Sequence, residues 1–137
     1  MKQDNYALLK QCFSKNELRT FSKYKKDSKR IVFNKNNKIV GEVWLTPSTK
    51  LEHIPQITTN GYYISNMCVD TAYREEGIAT KLMKHVISLA KRENKLHLIL
   101  QSTTKHLVDF YISLGFHTYL TGCNKDGEII NIMLLGL

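Results

Sequence analysis

The chain contains no apolar run approaching the roughly 20 residues that a membrane-spanning helix requires. Its opening, Met1-Lys2-Gln3-Asp4-Asn5, leads into no apolar region of the secretory-signal kind, so a cytoplasmic protein with no membrane partner is expected. Cysteine is sparse. Cys12, Cys68 and Cys123 are odd in number, widely spaced, and form no C-x-x-C pair. That pattern argues against a disulfide framework or a zinc site and makes reduced thiols the expectation. No His, Asp or Glu grouping has metal-ligand spacing, so no metal is assigned. Repeats, low-complexity tracts and linkers are absent, and 137 residues read as one domain, 1–137, large enough for a real core. Acidic residues are few, 12 against 20 basic ones, for a net charge of +8. The excess is concentrated between Lys15 and Lys38, where nine basic residues face only Glu17 and Asp27. A solvated helix face and loop accounts for such a run. The sharper alternative is a surface that meets something anionic. Nucleic-acid binding alone is disfavoured, because the run lacks aromatics interleaved in a recognisable RNA-binding motif.

What the chain does contain is organised around Met67 to Leu82. An apolar run, Tyr63 to Val69, stops at Asp70; a polar turn follows; and from Ile78 the apolar positions recur at helical spacing to about Asn94. The local plan is strand, tight turn, helix, with Gly77 where turn becomes helix and Ala79 the next small residue. Small side chains there let a ligand approach the backbone. The first N–H groups of a helix lack internal partners, and with the helix dipole they suit a diphosphate. It is neither a P-loop, for want of Gly-Lys-Ser/Thr, nor a dinucleotide fingerprint, whose first glycine is missing.

Elsewhere, Tyr6 to Cys12 reads equally as a short strand or the start of a helix. Ser14-x-x-Glu17 is a capping box, which predicts a helix from Lys15 to about Lys26 with Leu18, Phe21 and Tyr24 toward the core. Arg30–Asn34 and Ile39–Thr46 form a hairpin about a polar turn, and Pro47 to Thr59 is a loop. Tyr62–Val69 and Leu96–Gln101 are strands. Thr104–Leu114 is a helix with Leu107, Phe110, Tyr111 and Leu114 on one face, ended by Gly115. His117–Gly122 and Glu128–Leu135 form a last hairpin around Asn124-Lys125-Asp126-Gly127. Hairpins at both ends with two strand–helix crossovers between them imply an α/β protein: a mixed sheet with helices on its faces.

Two motifs carry a resemblance. Arg74-x-x-Gly77-x-Ala79 after a short strand is similar to the pyrophosphate loop of the GNAT acetyltransferase superfamily. Phe110-Tyr111-Ile112-Ser113-Leu114-Gly115-Phe116, about thirty residues on, resembles the Phe/Leu-Tyr-x-x-x-Gly-Phe that closes that superfamily's core. The likeness covers residues 31 to 137 well and the first thirty loosely. It implies the GNAT fold, a mixed central sheet flanked by helices in which two parallel strands, here Tyr62–Val69 and Leu96–Gln101, splay apart to form a slot for coenzyme A. It also implies an acetyl-CoA-dependent N-acetyltransferase acting on a primary amine by direct attack on the thioester. The backbone of Met67, Cys68 and Val69 would hold the thioester. Arg74, Glu75, Glu76, Gly77, Ile78, Ala79 and Thr80 would hold the diphosphate, and Thr104 would stand where the family often has an asparagine that contacts the cofactor. Tyr111 would be the catalytic acid that protonates the departing sulfur.

The base is not evident. The family often carries an acidic pair just before the position of Met67, and this chain has Ser65-Asn66. Tyr63, His53 and Glu42 are candidates, each more readily explained as structural. Cys68 invites an acyl-cysteine mechanism, but it alternates with Met67 and Val69 and should point to the opposite face as a small buried thiol. The alternative reading is a non-catalytic GNAT-fold module that binds CoA or an anionic partner. The acceptor, a small-molecule or protein amine, is not named by the sequence. The N-terminal part that would complete its cleft is short, which leaves room for a homodimer. If the basic stretch flanks that cleft, it should favour acceptors with a negative charge beside the amine and disfavour free polyamines.

Overall fold

The computed structural model describes residues 7–48, 60–102, 105–123 and 125–137. Helix α1 spans Lys15–Ser22, α2 Ile78–Arg92 and α3 Lys105–Ser113. The strands are β1 (Lys29–Lys35), β2 (Lys38–Pro47), β3 (Gly61–Val69), β4 (His97–Ser102), β5 (His117–Cys123) and β6 (Ile129–Gly136). They form one six-stranded sheet in the order β1-β2-β3-β4-β6-β5. Every pairing is antiparallel except β3 with β4. This is the mixed, helix-flanked sheet that the sequence implies.

Local chemistry accounts for most boundaries. The capping box forms: Glu17 N–H donates to Ser14 Oγ at 3.2 Å, and Ser14 N–H donates to Glu17 Oε1 at 2.9 Å. Asn36 and Asn37, with φ of 54° and 61°, make the tight turn between β1 and β2. The N-terminal reading is settled by a single 3-10 turn at Leu9–Gln11. Helix α1 stops at Ser22, four residues earlier than its apolar pattern predicts. Ser28 Oγ takes the Tyr24 carbonyl at 2.7 Å and meets Thr46 Oγ1 at 2.7 Å, so a side chain competes for a backbone acceptor and turns the chain into β1. Most of the expected loop after Pro47, including His53, lies outside the described residues, as do Thr104 and Asn124.

The sheet has two differently built faces. Helices α2 and α3 cover one, where Val43, Leu45, Ile64, Leu82, Met83, Val86, Tyr111 and Phe116 share a core. Gly41 lets α2 sit this close, since a Cβ there would lie 2.9 Å from Ile78 Cγ2 and 3.0 Å from Leu82 Cδ1. The N-terminal segment covers the other face, with Leu8, Leu9, Leu18, Phe21, Trp44 and Cys68 buried together. Here the expectation of reduced thiols fails: Cys12 and Cys68 are joined by a disulfide, Cα to Cα 5.9 Å, across 56 residues of sequence. No local pattern announces it, because only the packing of the first turn onto β3 brings the two cysteines together. Cys123 is free and exposed.

Candidate active site

Strands β3 and β4 pair at only three positions, Gly61 with His97, Tyr62 with Leu98 and Tyr63 with Ile99. Beyond these, β3 stays with β2 as far as Val69 and β4 stays with β6, to which it is paired along its whole length, so the sheet opens between them. The open edge is lined with backbone groups. Asp70 N–H donates to Val40 O at 2.8 Å. Since antiparallel strands alternate bonded and non-bonded pairs, Val69 and Met67 turn their N–H and C=O groups away from β2 and toward the gap. The Val69 carbonyl confirms that direction, because it accepts from Arg74 Nε at 3.1 Å rather than from β2.

One irregularity in β3 changes the site. Trp44 pairs with Asn66 but Leu45 pairs with Ile64, so Ser65 is a bulge with no partner of its own on β2. The bulge reverses the alternation. Met67 and Val69 belong to the α2 face together with Ile64, whereas Tyr63 turns to the other face. Straight alternation puts Tyr63 on the side of Met67; the bulge puts it beside Asn66 under α1. Ser and Asn at a strand centre were the available signal. Cys68 behaves as alternation requires and faces α1, though as half of a disulfide.

The junction of β3 with α2 is where the sequence places the diphosphate. Asp70 accepts from Ala72 N–H at 3.0 Å and starts a short turn. Glu75 and Gly77 have φ of 69° and 77°. Gly77 is the N-cap of α2 and offers no side-chain cap, and the first helical bond runs from Lys81 N–H to Gly77 O at 3.1 Å. The N–H groups of Ile78, Ala79 and Thr80 thus remain outside the helical ladder, at the positive end of the helix dipole. A Cβ on Gly77 would meet nothing within 4 Å, so the space in front of the loop is open. The Ile78 side chain is buried in the core, which leaves it only its backbone for a ligand. Glu75 and Glu76 are exposed, and Glu76 is ion-paired with Lys35, which removes one negative charge from the loop's field.

From this loop three adjoining cavities lead through the opened sheet. The outermost, about 440 Å³, is lined by Arg74, Ala79, Val69, Met67, Cys12, His106 and Leu107. The middle one, about 300 Å³, adds Leu100, Ser102, Tyr63 and Tyr111. The third, about 230 Å³, opens under α1 against Tyr63, Ser65 and Asn66. Leu107, predicted for the core, is instead 38 % exposed where it walls the slot. Cys68, expected at the site through its backbone, lines the outer cavity together with Cys12 and His106, and neither of the latter two was singled out for the site by motif. Arg74 Nη2 lies 3.5 Å from Cys12 Sγ, so the disulfide and the loop arginine share that wall.

Tyr111 sits on α3 between Phe110 and Phe116, whose rings meet it edge-on at 5.2 and 5.6 Å. Burial pushes its phenol up to about 12, and Tyr63 likewise to about 12, by burial first and then by the neighbouring phenols of Tyr111 and Tyr24. Both are neutral donors at neutral pH. Glu42, a candidate base, is fully buried and lines none of these cavities. Its Oε2 accepts from Arg30 Nε at 2.6 Å and from Trp44 Nε1 at 3.2 Å, a structural role.

The chain matches the family model of the acetyltransferase (GNAT) domain over residues 1–133. No curated protein is similar enough to count as a relative. Among solved structures, the Bacillus subtilis acetyltransferase in complex with CoA superposes with TM-score 0.78 at 14% identity, over 100% of this chain and 95% of that one. A GNAT family acetyltransferase from Elizabethkingia anophelis with acetyl-CoA bound gives 0.77 at 18%, over 99% and 92%. The ribosomal-protein-S18-alanine N-acetyltransferase from Escherichia coli gives 0.69 at 20%, over 86% and 75%. At these identities the structural likenesses speak for the fold. The family match, extending over almost the whole length, places this chain in the GNAT acetyltransferase family.

Proposed function

We propose that this protein transfers the acetyl group of acetyl-CoA to a primary amine by direct attack on the thioester. The observation that carries the reading is the opened edge of β3, where the Val69 N–H is turned into a slot shared with Tyr111 and continuous with the helix α2 N-terminus. The diphosphate rests on the N–H groups of Gly77 to Thr80, with Glu75 and Glu76 contributing backbone only. The pantetheine arm lies in the gap against Met67 and Leu107. The Val69 N–H stabilises the oxyanion that forms when the amine adds to the carbonyl carbon. The C–S bond then breaks and the sulfur leaves with the electron pair.

Tyr111 serves that last step as a donor held neutral by its burial. A free thiol has a pKa of about 8.5, well below that of a phenol pushed up to about 12. Tyr111 therefore stabilises the departing thiolate mainly by its hydrogen bond, and the proton that ends on sulfur comes from the attacking nitrogen, which sheds it as the amide forms, or from solvent.

The test is free-thiol release from acetyl-CoA across a panel of primary amines, with the acetylated amine identified by mass. Tyr111→Phe should lower kcat on the order of 10²-fold while leaving acetyl-CoA affinity within a factor of two or so, since removing one hydrogen-bond donor from charge that develops in the transition state costs about that much. Wild-type turnover in the Phe variant would make Tyr111 a core residue. CoA binding without thiol release for any amine would favour the non-catalytic module.

A further inference from the structure

The cavity under α1 differs in chemistry from the rest of the slot. Phe13, Phe21, Tyr24 and Tyr63 supply aromatic walls, and Glu17 is the sole ionised side chain among the described residues that line it. The same carboxylate lines the middle cavity with Tyr111, so Glu17 and the leaving-group tyrosine look onto one space. Its Oε1 is held by the Ser14 N–H in the capping box, which fixes the carboxylate at the first turn of α1, and Oε2 has no partner among the described residues. Aromatic faces are negative and attract cations, and a carboxylate among them completes a receptor for an organic ammonium ion. No cationic side chain stands among the described residues of these walls, so an anion would meet only neutral donors there, such as Thr20, Ser65, Asn66 and Gln101, beside the Glu17 carboxylate. None of the basic residues between Lys15 and Lys38 lines this cavity, and Lys29, Arg30, Lys35 and Lys38 are ion-paired with Glu93, Glu42, Glu76 and Asp70.

Resting on the reading of this protein as an amine acetyltransferase, we infer that the cavity under α1 is the acceptor subsite and that Glu17 draws the acceptor in as its ammonium ion, which gives up one proton to solvent before its neutral nitrogen attacks the thioester. The acceptor class is an organic amine with no carboxylate on the carbon that bears the reacting nitrogen. This is opposite in sign to the preference that the basic run suggests by itself.

Glu17→Gln is the informative variant, because glutamine serves the capping box as glutamate does and only the charge is lost. A thermal melt checks that the fold is kept. Binding is measured by NMR titration with CoA present, using phenethylamine and isobutylamine against L-phenylalanine and L-valine, the same skeletons with and without the carboxylate. Turnover is measured on the same four. The wild type should bind and acetylate the two simple amines at least about tenfold better than the amino acids, and Glu17→Gln should weaken amine binding by about tenfold while KM for acetyl-CoA stays constant. Equal or better binding of the amino acids, unchanged amine binding in the variant, or no binding of any of the four would overturn the inference. Selective, Glu17-dependent binding without thiol release would instead count against acetyl transfer and leave the ammonium site standing.

Discussion

Gly77 holds φ 77° at the N-cap of α2, in front of open space. Both facts constrain the residue: a side chain there adopts a left-handed backbone at a cost, and it occupies the volume a diphosphate needs. Gly77→Glu adds bulk and a negative charge at the positive end of the helix, so CoA binding by calorimetry should be lost while the fold persists. Unchanged affinity in a folded variant would move the cofactor elsewhere. Tyr111 and Tyr63 illustrate the opposite case, in which chemistry follows from burial rather than from residue type. Of the seven tyrosines, these two keep their protons to about 12 because the charged form cannot be solvated where they sit.

The disulfide acts at the scale of elements. It ties the turn at Leu9–Gln11 to the end of β3, and so fixes one wall of the slot. Closing so long a loop restricts the unfolded chain, a stabilisation of about 2–4 kcal/mol. Thiol titration of the native protein without reductant should count one reactive thiol, Cys123, and three after reduction and unfolding. Cys12→Ser should lower the denaturation midpoint accordingly. Three reactive thiols in the freshly isolated protein, or a variant of wild-type stability, would show that the bridge does not form. The Ser65 bulge works at the same scale. By inserting one residue into β3 it keeps Met67 and Val69 with α2 while delivering Tyr63 to the α1 side, so a single strand lines the cavities on both sides of the opened sheet.

The whole molecule carries +8, and its field acts on the two substrates with opposite sign. An anionic cofactor is attracted and an ammonium acceptor repelled until it reaches the Glu17 cavity. Salt screens both effects over about 8 Å at physiological ionic strength. Raising ionic strength should therefore raise KM for acetyl-CoA and lower KM for the amine, in initial-rate measurements that vary each substrate in turn. Shifts of the same sign for both would mean that the net charge does not reach the site.

The elements and the fold class were legible in the residues themselves. Ser14-x-x-Glu17, the Asn36-Asn37 turn, the helical spacing after Ile78 and the glycine after Leu114 are local signals, set by neighbours a few positions away, and the folded chain keeps them. The junction at Gly77 was legible for the same reason, since strand, glycine and helix are contiguous. What the tertiary structure alone decided depends on residues distant in sequence. Cys12 reaches Cys68 only because the first turn packs on β3. Tyr63 changes face because β2 pairs around Ser65. Helix α1 ends early because Ser28 meets Thr46, and Glu17, a capping residue by its sequence, becomes the charge of a cavity only when α1 lies across the opened sheet. Periodicity carries no information about such contacts, because each is fixed by how two elements pack and not by the preference of either.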